Sequence, residues 1–210
     1  MKLYSYFRSS ASFRVRIALA LKGLPYETVP VHLIKNQQQA PEFVQASSTG
    51  LVPLLVDGNH RLHQSLAIIE YLEETHPEPP MLPGEPAARA RVRAIAQDIA
   101  CEIHPLNNLR VLRWLVHEGG LSTESKEAWY RHWIEEGLVP VERQLADAPA
   151  RYCHGDMPTL ADCVLVPQIF NARRYECRLD HVPNVMRVFE ACMALPAFEQ
   201  AQPSACPDAE

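Results

Sequence analysis

The sequence predicts two differently built halves, an α/β domain with element order β-α-β-α-β-β-α followed by an all-α domain. Three observations carry this. Up to Thr75, short apolar runs alternate with helically spaced segments. Residues 77–86, Pro-Glu-Pro-Pro-Met-Leu-Pro-Gly-Glu-Pro, hold five prolines in ten positions, which neither a helix nor a central strand accepts. Beyond them arginine and apolar residues interleave at helical spacing. The expected division is a first domain at 1–80, a linker at 81–86 and a helical domain at 87–210.

Each element follows from a local pattern. Leu3–Phe7 is a short apolar strand. Ser12–Lys22 is a helix, with Val15, Ala18, Leu19 and Lys22 at helical spacing and Gly23 as its stop. Tyr26–Val31 is a second strand, closing a βαβ unit expected to be right-handed. Pro41–Ala46 is a short helix. Val52–Val56 is a third strand, and Asp57-Gly58 turns the chain into a short fourth at Arg61-Leu62. Ser65 is placed as the N-cap of a helix over Leu66–Thr75.

In the second half, the helical pattern from Ala87 to His117 is too long for one straight helix, and Pro105 is expected to kink it. Trp129–Leu145 is another helix, bent at Pro140. Thr159-Leu160-Ala161-Asp162 opens a third, with Thr159 capping and Asp162 bonding back to the Thr159 N–H. Val185–Leu195 is a fourth. The tail from Gln202 to Glu210 is expected to be loose.

Composition narrows the function. The 210 residues are 47% hydrophobic and 21% charged, the balance of a soluble globular chain with a real core. A net charge of −5 argues against nucleic acid as the main partner. No run of 18 apolar residues spans a membrane, and the N-terminus has no signal-peptide core. Six cysteines without a C-x-x-C pair point to reduced thiols in a cytoplasmic protein and to no metal site. Sixteen arginines against four lysines suit anion recognition, although coding bias gives the same count. Neither G-x-S-x-G nor a P-loop is present, and the adjacent carboxylates Glu73-Glu74 and Glu135-Glu136 point in different directions on their helices.

The richest segment is Arg8-Ser9-Ser10-Ala11-Ser12-Phe13-Arg14-Val15-Arg16. It places two hydroxyls and an arginine where a strand ends and a helix begins. A helix N-terminus offers unpaired N–H groups and about half a positive charge, so it holds a thiolate, a carboxylate or a phosphate. The plainer reading is that Ser9 or Ser10 caps the helix. Arg14 and Arg16 read as surface or interface charges.

Several segments together resemble the soluble glutathione transferases, and their zeta class in particular. Tyr4-Ser5-Tyr6-Phe7-Arg8-Ser9-Ser10 with Arg14-Val15-Arg16-Ile17-Ala18-Leu19 is similar to the zeta signature S-S-C-x-x-R-V-R-I-A. Leu51-Val52-Pro53 resembles the family's cis-proline turn, and Gln64 to Leu72 its glutamyl-binding segment. His104 to Leu109 and Asn171 to Arg174 are similar to zeta segments of the helical domain. The signature's cysteine is Ala11 here.

The resemblance implies a thioredoxin-like N-terminal domain with a helical C-terminal domain, and glutathione as cofactor. Ser9 is then the donor to the glutathione thiolate, with Ser10 as a supporting or capping hydroxyl. Val52, ahead of Pro53, pairs the cysteinyl backbone if that bond is cis; a trans proline opening a strand is the alternative. Gln64 and Ser65 take the γ-glutamyl carboxylate at a second helix start. His104 and Asn108, four apart on one helix face, could reach the glutathione, although a lone histidine is as often a surface or core residue. Arg8, Arg110 and Arg174 are the candidates for gripping substrate carboxylates and stabilising an enolate.

The activity so implied is glutathione-dependent cis–trans isomerisation of a maleyl keto acid. Maleylacetoacetate, converted to fumarylacetoacetate in aromatic catabolism, ranks narrowly ahead of maleylpyruvate in gentisate degradation. The Tyr4–Phe7 and Gln64–Leu72 matches favour the first, and Ala11 the second. A transferase acting on halogenated electrophiles and a non-enzymatic glutathione-binding protein are the other readings. The resemblance also implies a homodimer.

Overall fold

The computed structural model describes residues 1–210, which form two compact units. The first comprises Met1–Met81 together with Met193–Glu210, and the second Leu82–Cys192.

The first unit is built on a four-stranded sheet in the order β2-β1-β3-β4. Its strands are β1 (Lys2–Ser5), β2 (Glu27–Pro30), β3 (Leu54–Asp57) and β4 (His60–His63). β1 runs parallel to β2 and antiparallel to β3, and β3 is antiparallel to β4. The two-residue loop at Gly58 and Asn59 joins β3 to β4, with Gly58 at φ 55°, the left-handed geometry such hairpins require. The helices are α1 (Ser10–Leu21), α2 (Pro41–Ser47) and α3 (Ser65–Thr75), giving the order expected from the sequence.

α1 is buried on nearly all sides. Val15, Ile17, Ala18 and Leu19 are fully enclosed, as is Leu3 on β1. Arg14 and Arg16 are each only 3% exposed, which corrects their assignment to the surface. The cause is that α3 and the C-terminal helix α9 (Pro196–Ala201) both pack against α1, which leaves it no solvent face. Arg16 is satisfied by protein acceptors: Nε donates to the Ala201 carbonyl at 2.9 Å, Nη1 to Ser5 Oγ at 3.1 Å and Nη2 to the Phe7 carbonyl at 3.0 Å. A buried charge needs such partners.

The C-terminal boundary therefore differs from the expected one. Residues 193–210 join the first unit instead of completing a helical domain over 87–210. The tail is also not loose. Asp208 accepts the Phe7 N–H at 3.1 Å, and Glu210 Oε1 lies 3.2 Å from His32 Nε2 and 3.3 Å from Lys35 Nζ.

The second unit is helical. α4 (Pro86–Gln97) runs into a π-helical turn at Asp98–Ile103 and a 3₁₀ turn at His104–Asn107 before α5 (Leu109–His117). The expected kink at Pro105 is thus a full break, since Asn108 is extended at ψ 142° and starts a new helix. α6 (Thr123–Asp147) passes through Pro140 and begins six residues before the expected start. Ser122 caps it, accepting the Ser125 N–H at 3.1 Å, and its polar first turns hid that start. Gly137 leaves room for Ile103 of the π turn, whose side chain would overlap any Cβ there. α7 (Leu160–Arg174) is almost wholly buried and packs on α4, and α8 (Pro183–Met193) follows. The expected capping box opens α7: Asp162 accepts the Thr159 N–H at 2.7 Å and the Thr159 hydroxyl at 2.8 Å. No helix is long and apolar enough to cross a membrane.

Candidate active site

Strand register gathers the first unit's candidates. Tyr4 pairs with Leu54, and Leu54 with His63. Because β3 is antiparallel to both neighbours, the ends of β1 and β4 and the start of β3 lie at one end of the sheet. The segments Phe7–Ser10, Val52-Pro53 and Gln64-Ser65 all leave the sheet there.

Ser9 is the N-cap of α1, half-buried, with its oxygen accepting the Ser12 N–H at 3.2 Å. Its own N–H is held by the Tyr6 carbonyl at 2.9 Å, and its carbonyl takes the Phe13 N–H at 2.8 Å. The backbone is thus fixed and the hydroxyl oxygen engaged as an acceptor, while the hydroxyl proton remains to donate. Capping and donation are compatible in this one residue. Ser10 is the first helical residue and is 6% exposed, so it is not the cap. Arg8 is exposed, its guanidinium 4.8 Å from the centre of the Phe7 ring.

The Val52–Pro53 bond is cis. Val52 sits just ahead of the ladder, and its N–H and C=O make no backbone hydrogen bond. Such free groups can pair with an added peptide strand.

Gln64, not Ser65, holds the cap position of α3, at φ 69° and ψ 114° and without a side-chain cap bond. That conformation is costly for a residue with a Cβ and is typical of strained functional turns. Ser65 is the first helical residue, 6% exposed, and its oxygen accepts Arg14 Nη1 at 3.2 Å. The Ser65 proton is therefore directed elsewhere, and a buried guanidinium stands behind it. Neither α1 nor α3 carries an acidic residue in its first turn, so nothing neutralises the positive end of either helix.

The tripeptide glutathione fits this donor set: an uncapped helix start for its γ-glutamyl carboxylate, free backbone groups for its middle residue, and a helix start with a hydroxyl donor for its thiolate. Sequence reasoning missed Arg14. A signal existed, since Ser10–Leu21 has almost no polar face and such a helix is buried all round.

The second unit holds the other candidates. His104 begins the 3₁₀ turn and is half-buried. Asn108 caps α5, its Oδ1 accepting the Arg110 N–H at 3.2 Å. The two do not share a helix face as expected, because the helix breaks between them. Arg110 is exposed in the first turn of α5. Arg174 ends α7, exposed, its guanidinium 5.3 Å from the Tyr175 ring centre. Tyr175 stacks on Tyr130 at 3.6 Å between centroids. Burial pushes the Tyr130 phenol well above its usual value, with Arg174 opposing, so Tyr130 is neutral. Arg173 lies 4.3 Å from the Phe189 ring centre.

Comparison with known proteins identifies the family of both halves of the chain. Residues 1–74 match the glutathione S-transferase N-terminal domain family and residues 126–196 the C-terminal domain family. A maleylacetoacetate isomerase of Pseudomonas aeruginosa is 46% identical, the match covering 99% of this chain and 98% of that protein. The holo structure of a maleylpyruvate isomerase, described as a bacterial zeta-class glutathione transferase, superposes with TM-score 0.98 at 46% identity, with both chains fully covered. A maleylacetoacetate isomerase of Methylobacterium extorquens AM1, solved with bound malonate and glutathione, gives TM-score 0.97 at 40% identity, again over the whole of both chains. With identity at this level across its full length, the chain belongs to the zeta class of the glutathione transferase family.

Proposed function

We propose that this chain is a glutathione-dependent cis–trans isomerase acting on a maleyl keto acid, with maleylacetoacetate as the first-ranked substrate. The observation that carries the reading is Ser9, a helix-capping serine whose hydroxyl proton is left to donate at the positive end of α1.

When bound, glutathione supplies a thiolate that adds reversibly to the cis carbon–carbon double bond and leaves after rotation, so it is regenerated. Ser9 donates its proton toward the sulfur and, with the α1 dipole, favours the ionised form near neutral pH. The Val52 N–H and C=O hold the cysteinyl backbone. Gln64, Ser65 and the α3 N-terminus hold the γ-glutamyl carboxylate, with Arg14 polarising the Ser65 hydroxyl. Ser10 buttresses the turn, and His104 and Asn108 are second-unit candidates for contacts to the tripeptide. Arg8, Arg110 and Arg174 bind the substrate carboxylates and stabilise negative charge developing on its keto oxygen. The Methylobacterium relative, solved with bound malonate and glutathione, supports a dicarboxylate ligand.

The rival substrate is maleylpyruvate. Ala11 in place of the signature cysteine favours it, and identity does not separate the two, since relatives of both names stand at 46%. The active form is proposed to be a homodimer. The six cysteines, none of them in a disulfide, support a cytoplasmic setting.

The test is to assay maleylacetoacetate, maleylpyruvate and a chlorinated electrophile, each with and without glutathione. Isomerisation of a maleyl acid only with glutathione is expected. Turnover without glutathione, or turnover of the electrophile alone, overturns the reading. Sedimentation of a monomer at assay concentration overturns the dimer.

A further inference from the structure

The C-terminal segment returns to the β1–α1 turn that carries Ser9. Asp208 Oδ2 accepts the Phe7 N–H at 3.1 Å, across 201 residues of sequence. The Phe7 carbonyl accepts Arg16 Nη2 at 3.0 Å, and Arg16 in turn holds the Ala201 carbonyl at 2.9 Å. Both polar groups of the Phe7 peptide backbone are thus fixed by side chains, two residues before Ser9. The Ser9 N–H closes the turn on the Tyr6 carbonyl at 2.9 Å, so the position of residues 6–7 sets the position of Ser9.

Two further observations mark Asp208 as more than a chance end contact. Its Oδ1 is enclosed without a hydrogen-bond partner, a costly arrangement for a carboxylate unless a nearby charge compensates. The Arg16 guanidinium interacts electrostatically with this carboxylate. Burial draws the Arg16 guanidinium below its ordinary value, and Cys206, Tyr26 and Asp208 all oppose this. The tail is also pinned beyond Asp208, where Glu210 meets His32 and Lys35, and the His32 ring lies 5.1 Å from Tyr6.

We propose that Asp208, acting with Arg16, is a positioning residue that fixes the Ser9 turn, so that the last residues of the chain are part of the glutathione-activating site. The proposal rests on the reading of Ser9 as the thiolate donor. Asp208 touches neither cofactor nor substrate. It acts through the Phe7 peptide, and without it the β1–α1 turn shifts and the Ser9 hydroxyl loses its alignment. Misplacement of a catalytic group by about 1 Å costs up to about a hundredfold in rate.

The experiment compares the full-length chain with Asp208→Ala and the near-isosteric Asp208→Asn, whose amide oxygen can still accept the Phe7 N–H. The ultraviolet absorbance of the bound glutathione thiolate is followed against pH, beside kcat, KM and the melting temperature. Asp208→Ala is expected to raise the apparent pKa of the bound thiol and to lower kcat by about tenfold or more while KM for glutathione changes little. Asp208→Asn is expected to restore both largely. If Asp208→Ala lowers only the melting temperature, or if both variants lose the thiolate signature equally, the positioning role is overturned. The thiolate titration needs no maleyl substrate, so a brace that holds in a protein without isomerase activity separates this proposal from the substrate assignment.

Discussion

Arg14 Nη1 donates to the Ser65 hydroxyl oxygen at 3.2 Å, inside the protein and across 51 residues of sequence. The contact joins the helix proposed to bear the thiolate donor to the helix proposed to hold the γ-glutamyl carboxylate. With its oxygen engaged as acceptor, the Ser65 hydroxyl is free to donate to an anion. A hydrogen bond involving a charged group is worth about 1.5–3 kcal/mol. Arg14→Gln is therefore expected to weaken glutathione binding by about tenfold or more, measured by calorimetric titration. Ser65→Ala should weaken it as well, and the double variant should fall short of the product of the two. Strict additivity would show that Arg14 does not act through Ser65.

Ser9 caps α1 and is proposed to donate to the glutathione thiolate, and substitutions can divide the two roles. Ser9→Ala removes the cap acceptor and the donor together. It should lower stability by about 1 kcal/mol and turnover by about 10- to 100-fold. Ser9→Asp keeps a strong N-cap but has no proton to give and places a negative charge beside the sulfur. It should melt at or above the wild-type temperature and still be nearly inactive. An active Ser9→Asp enzyme would remove thiolate donation from the role of Ser9. In Ser9→Ala the alkaline rise of the rate should move to higher pH, since losing a donor to the ionised thiol raises its pKa.

How much of this was legible in the sequence depends on the range of the interaction. The element order was, because periodicity, the Asp57-Gly58 turn, the Gly23 stop and the proline run are local signals. The Thr159–Asp162 box was legible for the same reason, since both partners lie within one helical turn. The lack of a polar face on α1 signals that Arg14 and Arg16 are buried, but not what satisfies them, because their acceptors at Ser65 and Ala201 come from distant segments. The return of the tail to Phe7 has no local signature at all. The place of Gln64 before a helix is legible, but its positive φ carries no sequence mark, since glycine would be the usual occupant. The break between His104 and Asn108 is legible only as a kink, because Pro105 announces a disturbance without specifying its size.

Asp162 is fully buried, and beyond the Thr159 contacts it accepts the Cys153 N–H at 2.8 Å. Burial raises its carboxyl above the usual range, opposed by these same hydrogen bonds. Asp162→Ala would strand the Cys153 and Thr159 N–H groups away from water. Each such loss costs about 1–3 kcal/mol, so the second unit should be destabilised by several kcal/mol. Denaturant melts followed at the tryptophans Trp129 and Trp133 would detect this. A shift below about 1 kcal/mol would mean that the loop at Cys153 finds other acceptors.

Glu135 provides the pH-dependent contact of the helical unit. Partial burial raises its carboxyl, but hydrogen bonds from the Arg178 N–H at 2.9 Å and the Arg178 guanidinium at 2.9 and 3.1 Å outweigh this and hold it below the usual carboxylate range. A depressed folded-state value means that the unfolded chain binds the proton more readily. The contribution is therefore fully present above the unfolded value of about 4.3 and is lost as pH falls through the lower folded value. Arg178 is 80% exposed, so solvent screening limits the effect to about 1 kcal/mol or less. Wild type and Glu135→Gln should differ in denaturant midpoint between pH 5 and 8 and converge toward about pH 3. Added salt should narrow the gap at neutral pH, because the exposed guanidinium is screened. A difference that stays constant down to pH 3 would assign the stabilisation to neutral hydrogen bonds, with no part for the charge on Glu135.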